Sequence, residues 1–207
     1  RFEYESLYVA MNELSNHDHS RFLTRTNGQV GRIQNKGTEA AEEGINEAVM
    51  REAVIMQMTW PGAPTVYYGD EAGVCGWTDP DNRRTYPWGH EDKQMLLFHK
   101  EAIRIHRNST ALCTGSYKML YTAWGILAYG RFDEKERYTV IVNNTQDTVN
   151  VAIPVWQIGV TDGSRMEQQL MSSSASFTKV PDIYVVTDGY LMIAMPKTSA
   201  VILKDIG

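Results

Sequence analysis

The sequence predicts an α/β segment, residues 1–112, followed by an all-β region, residues 113–207, folded as an antiparallel β-sandwich. Three observations carry this. Residues 46–68 run from a helical apolar pattern through a Pro-Gly break into a β-branched and aromatic stretch. Helix, break and strand in that order make an α/β unit. After Cys113, short alternating segments separated by turn residues replace the helical spacing, as in a sandwich. Two polar clusters, Asn16-His17-Asp18 and Asp70-Glu71, each follow an apolar run. In α/β units the C-terminal ends of parallel strands carry the site.

Composition narrows the function classes. The 207 residues are 43% hydrophobic and 22% charged, a globular balance, with a formal net charge of -5. No Lys/Arg run occurs, which argues against nucleic acid as a partner. No apolar stretch reaches the roughly 20 residues of a membrane helix. Cys75 and Cys113 lie far apart without metal-type spacing. The simplest reading is two free thiols in a reducing, cytoplasmic compartment, with one disulfide between them as the alternative. The chain opens at Arg1 rather than Met and shows no signal-peptide pattern, so it is expected to be an internal or C-terminal piece of something longer.

In chain order, residues 1–14 read as a helix end and a short strand, with the apolar lead-in Leu7-Tyr8-Val9-Ala10-Met11 leaving a buried core. Residues 23–45 are mostly polar and read as a loop with one helical turn at Thr38–Glu43. A loop this long is usually functional or mobile. Asn46 is an N-cap with Glu47 in the first turn, where the helix dipole favours an acid. Val49, Ala53 and Met56 form one apolar row and Met50, Val54 and Met58 another, so the helix is expected to be buried on most sides. Pro61-Gly62 stops it. Thr65–Tyr68 reads as a short buried strand, with Tyr67 and Tyr68 in the core. The loop 73–89 is dense in Trp, Asp, Pro and Arg. An amphipathic helix follows from Glu91 to Arg107, with Met95, Phe98, Ala102 and Ile105 on its apolar face. Seven strands are predicted beyond it: Tyr117–Tyr121, Gly125–Phe132, Arg137–Asn143, Val149–Ile153, Gln168–Met171, Tyr190–Met195 and Ala200–Leu203.

Two blocks then stand out together. One is Met11-Asn12 through Asn16-His17-Asp18, with Arg21. The other is Trp60-Pro61-Gly62-Ala63-Pro64-Thr65-Val66-Tyr67-Tyr68-Gly69-Asp70-Glu71-Ala72-Gly73, then Asp79-Pro80-Asp81-Asn82-Arg83-Arg84. This pair resembles the α-amylase family of glycoside hydrolases, nearest to its neopullulanase, cyclomaltodextrinase and maltogenic amylase branch. The resemblance covers about residues 1–112 and implies a (β/α)8 TIM barrel, with the first block ending the seventh strand and the second the eighth. The chain would then hold the last two β/α units of a barrel that takes about 250 residues in full. The β-rich tail would be the sandwich that such enzymes carry at the C-terminus.

The chemistry implied is retaining hydrolysis of α-glucosidic bonds, with one carboxylate as nucleophile and one carboxylic acid as proton donor. Asp18 matches the family's third carboxylate, which holds the distorted sugar through its hydroxyls. Such a charge-assisted bond in a dry site is worth roughly 2–4 kcal/mol of barrier. His17 matches the histidine beside it, a donor to the same sugar. Asp79 and Arg83 match an acid–base pair on a neighbouring sugar, acceptor and donor for vicinal hydroxyls. Arg21 is expected to brace the site. Trp77 and Trp88 serve either stacking or packing, and Asp70 and Glu71 are expected to hold the strand end.

The departures matter as much. The family's nucleophile lies in a Gly-Phe-Arg-x-Asp block and its acid is a Glu on the next strand, and neither block occurs here. The chain alone is therefore expected to be inactive, because Asp18 cannot replace either group. No metal or organic cofactor is predicted in it. Calcium, where the family uses it, would sit mostly on residues absent from this chain. The expected partners are α-glucan oligosaccharides, the N-terminal part of the barrel, and a second copy paired through exposed barrel strands. A metal phosphohydrolase built on His17-Asp18 lacks an upstream histidine, and a His17-x-His19 zinc site lacks further ligands. The alternative reading is a non-catalytic carbohydrate-binding or structural domain.

Overall fold

The computed structural model describes residues 4–29, 31 and 33–207. Parts of the predicted helix end (1–3) and of the polar loop (30 and 32) lie outside the described residues. A 3₁₀ helix at Tyr4–Val9 leads into strand β1 (Met11–Glu13). Two short helices follow, α1 (Phe22–Arg25) and α2 (Ile33–Lys36), with a 3₁₀ turn at Glu39–Ala41 inside the predicted helical turn. Helix α3 (Glu47–Thr59) begins where the Asn46 side chain accepts from the backbone N–H groups of Ala48 and Val49, at 3.0 and 3.3 Å. That cap satisfies two donors the helix cannot use itself, worth about 1 kcal/mol. Strand β2 (Ala63–Thr65) lies parallel to β1, Met11 opposite Ala63 and Glu13 opposite Thr65. Helix α4 (Lys93–Arg107) starts at an Asp92 cap, and α5 (Thr110–Thr114) follows it.

Two expectations fail here. The strand that follows Pro61-Gly62 is Ala63–Thr65 rather than Thr65–Tyr68, its ladder with β1 ending where Glu13 lies opposite Thr65. The lead-in is not buried: Val9 and Met11 are exposed, and much of it is 3₁₀ helix rather than strand. Gly62 makes the tight link between α3 and β2. Its φ is +131°, and a Cβ there would lie 2.6 Å from the Asn12 Oδ1 and 2.7 Å from the Ala10 carbonyl oxygen, so only glycine lets β1 approach.

The β-rich part contains β3 (Ser116–Ala123), β4 (Ile126–Phe132), β5 (Arg137–Asn143), β6 (Val149–Ile153), β7 (Arg165–Ser172), β8 (Phe177–Thr178), β9 (Ile183–Val185), β10 (Leu191–Met195) and β11 (Ser199–Asp205). One antiparallel sheet runs β3-β4-β5-β11-β7-β8, with β9 also on β7, while β6 and β10 form a separate antiparallel pair. The sequence reading misses β8 and β9, the latter although Ile183-Tyr184-Val185-Val186 is a β-branched apolar run. Both faces of the large sheet are covered. Val140 and Val142 on β5 and Ala200 and Ile202 on β11 pack with Met50, Val54 and Phe98 of α3 and α4. Ile141, Val201 and Leu203 point the other way, onto Val151, Ile153, Leu191 and Ile193 of the β6–β10 pair. Double burial explains why β5 and β11 read as continuous apolar runs rather than strict alternation. The buried Arg131 of β4 seals the junction, donating to the carbonyls of Thr59 (2.6 Å) and Gly115 (3.1 Å). Both cysteines are unpaired, Cys75 in the core.

Candidate active site

The parallel pairing of β1 and β2 sends both chains out on the same side. The turn that leaves β1 carries Asn16 to His19, and the segment that leaves β2 carries Tyr68 to Glu71. Asn16 shapes its turn from inside: its Oδ1 accepts from the Asp18 N–H at 2.9 Å and the His19 N–H at 3.1 Å. This is the local competition with regular structure for which asparagine is suited. The turn therefore presents His17 and Asp18 outward, with 62% and 68% of their side chains exposed and Nε2 to Oδ1 at 3.5 Å. Neither side chain is committed to the protein interior. A carboxylate and an imidazole side by side on an open surface can accept from and donate to adjacent hydroxyls of one sugar.

The loop after β2 supplies the second pair. Asp79 and Arg83 meet, Nε to Oδ1 at 2.5 Å, both about half exposed. An exposed pair of this kind contributes at most about 1 kcal/mol to stability. Arg83 belongs to a single 3₁₀ turn, Asp81–Arg83. The loop is held from beneath. Asp81 accepts from the Trp77 N–H at 2.8 Å and from Arg84 at 2.9 Å, and Arg84 also donates to Glu42 (2.8 Å) and the Thr38 carbonyl (2.6 Å). The two predicted site clusters are joined through Asn82, whose Nδ2 donates to the carbonyls of Asn16 (3.2 Å) and His19 (2.7 Å).

Arg21 does not touch Asp18. It is fully buried and pairs with Asp70, Nη1 to Oδ1 at 3.0 Å, while donating to the carbonyls of Tyr68 (2.5 Å) and Asn82 (2.9 Å). It braces the backbone under the site rather than a site carboxylate. Burial pushes the Asp70 carboxyl above the usual carboxylate range, against the opposing pull of Ser15 and Arg21. Tyr67 and Tyr68 are not core residues: Tyr68 is exposed, and both rings lie against the Arg21 guanidinium, 4.3 and 4.8 Å from its central carbon. A cation over an aromatic face is favourable, and it draws these rings out of the apolar interior. Glu71 accepts from the Gly69 N–H at 2.9 Å, inside the loop that leaves β2 rather than at the end of the strand itself. Trp77 is 1% exposed and donates to the Gly37 carbonyl at 3.0 Å, so it packs. Trp88 is exposed and rests against Tyr86, ring centroids 4.5 Å apart. No group of three or more His, Cys, Asp or Glu placed to hold a metal ion occurs among the described residues.

The family model described as "Alpha amylase, catalytic domain" matches residues 3–186. Amylopullulanase of Thermoanaerobacter thermohydrosulfuricus is 31% identical over 100% of this chain and 14% of its own length. Neopullulanase 2 of Thermoactinomyces vulgaris is 33% identical over 72% of this chain and 23% of its own. Among solved structures, an Anoxybacillus α-amylase superposes with a TM-score of 0.77 at 25% identity, covering 98% of this chain and 39% of that one. The chain spans 11–25% of the length of the curated relatives it matches.

Proposed function

The chain belongs to the α-amylase family of glycoside hydrolases, and from that premise we propose that it is the substrate-gripping end of a retaining α-glucan hydrolase's active site. Asp18 accepts from the hydroxyls of the sugar at the scissile bond. Those hydrogen bonds shorten as the ring flattens towards an oxocarbenium ion, so they lower the barrier rather than only the dissociation constant. His17 donates to the same sugar. Asp79 and Arg83 take the neighbouring one, and Arg21 holds the floor. Residues 1–112 are the C-terminal part of the (β/α)8 barrel and residues 113–207 a β-sandwich domain. The substrate class is maltodextrin, pullulan or cyclodextrin, with α-1,4 or α-1,6 bonds. The N-terminal part of the barrel is the partner that supplies nucleophile and acid, and any calcium ligands.

The observation that carries this reading is the exposed Asp18 and His17 on the turn leaving β1, tied through Asn82 to the loop bearing Asp79 and Arg83. The chain has no Gly-Phe-Arg-x-Asp block, so the two residues that break and protonate the bond are not in it. Purified 207-residue chain incubated with maltodextrin or pullulan should release no reducing sugar above a buffer blank. Release above the blank would overturn the division of labour. One observation favours the alternative of a non-catalytic binding role for the β-rich part: Trp124 and Trp156 are 97% and 56% exposed there. Retardation on a glucan gel that survives Asp18→Asn but not Trp156→Ala would support it.

A further inference from the structure

We propose that Asn82 is a positioning residue for Asp18, a clamp whose two amide protons fix the turn on which the catalytic carboxylate stands. The inference rests on the reading of Asp18 given above. Asn82 is fully buried, yet its Oδ1 acceptor has no hydrogen-bond partner among the described residues. Its Nδ2 alone is engaged, with the carbonyls of Asn16 and His19 at 3.2 and 2.7 Å. Those carbonyls bracket His17 and Asp18. The turn is thus held from two directions, its amides by Asn16 from within and its carbonyls by Asn82 from outside. A carboxamide is one of the few neutral groups that offers two donors from one atom in one plane. Aspartate at this position would face two carbonyl oxygens with acceptors only, and leucine would leave both carbonyls without a partner.

The clamp also couples the two halves of the site. Asn82 sits in the single turn Asp81–Arg83, so the residue next to Arg83 is the one that grips the Asp18 turn. Its own carbonyl accepts from the Arg21 Nε at 2.9 Å, and the Arg21 backbone N–H donates to the Gly76 carbonyl at 2.9 Å. Any shift of the 79–84 loop therefore shifts Asp18 with it. The carboxylate that grips one sugar and the ion pair that grips its neighbour move as one body.

Nuclear magnetic resonance on the 207-residue chain tests this directly. In the unmutated chain both Nδ2 protons of Asn82 should exchange slowly with solvent and show through-bond coupling to the Asn16 and His19 carbonyl carbons. Fast exchange of either proton overturns the proposal, whatever the variants do. In Asn82→Leu and Asn82→Asp, the Asp18 and His19 amides should exchange about tenfold faster, the equivalent of losing roughly one or two hydrogen bonds. The amides of Ile141 and Val201 in the sheet should keep their wild-type rates. Unchanged Asp18 and His19 exchange in a folded variant also overturns the proposal. Titration with maltotriose separates the two claims: a wild-type chain whose Asp18 signal ignores the sugar defeats the proposed function, while the exchange data still decide the role of Asn82.

Discussion

Arg21 and Asp18 stand three positions apart and play opposite parts. Asp18 faces solvent, where a sugar can reach it. Arg21 is sealed beneath, its charge balanced by Asp70 and the Tyr67 and Tyr68 rings. Removing one member of a buried ion pair leaves the other charge without compensation, at a cost of about 3–5 kcal/mol. Arg21→Ala should lose that much stability in urea denaturation, whereas Asp18→Asn should change it by less than about 0.5 kcal/mol. Equal effects of the two substitutions would contradict the assignment. The motif around Asp18 was legible because polar residue types cluster there. That Arg21 braces Asp70 rather than Asp18 was not, since a sequence shows the charge but not the direction in which a long side chain runs. Asn82 was missed for a related reason: in Asp81-Asn82-Arg83 it looks like one more polar loop residue, and only its burial sets it apart.

At the scale of elements, α3 ties the strands β1 and β2 to the large sheet. Its apolar rows and Asn46 cap were readable from spacing, as were the face of α4 and most of the long strands. Less readable was that α3 also buries Arg51, Glu52 and Gln57, because contacts with the sheet come from residues far along the chain. Gln57 donates to the carbonyls of Asn12 (3.0 Å) and Thr65 (2.8 Å), tying α3 to both strands that carry the site. Glu52 is 2% exposed and accepts from the Asn144 Nδ2 at 2.6 Å, beside a groove of about 380 Å³ between α3 and the β3–β4 turn. Burial pushes its carboxyl up to about 8, with Asn144 pulling the other way. In the unfolded chain the value is roughly 4.3. Below that the proton is bound in both states and the full stability is present. Between there and about 8 only the folded state keeps the proton, so stability falls as pH rises, by about 1.4 kcal/mol per pH unit. Glu52→Gln should remove that descent, so denaturation profiles of the two proteins should diverge with rising pH. Profiles that stay parallel from pH 5 to 8 would contradict the neutral Glu52.

For the whole molecule, the helices and the large sheet share one apolar interior, with Met50, Phe98, Val140 and Ile202 in the same cluster. That continuity was the least legible feature. Periodicity announces that β5 and β11 are buried, but not that helices cover one face and the β6–β10 pair the other. The exposed Val9 and Met11 lie at the opposite extreme, apolar residues left uncovered where β1 pairs only with β2 among the described strands. The interior sets the stage on which one turn and one loop meet. The most direct measurement of the central claim is a maltotriose titration of the chain, followed by the backbone amide signals. Saturable shifts are expected at His17, Asp18, Asp79 and Arg83, abolished by Asp18→Ala. Shifts confined to the β-rich strands, or none at Asp18, would contradict it.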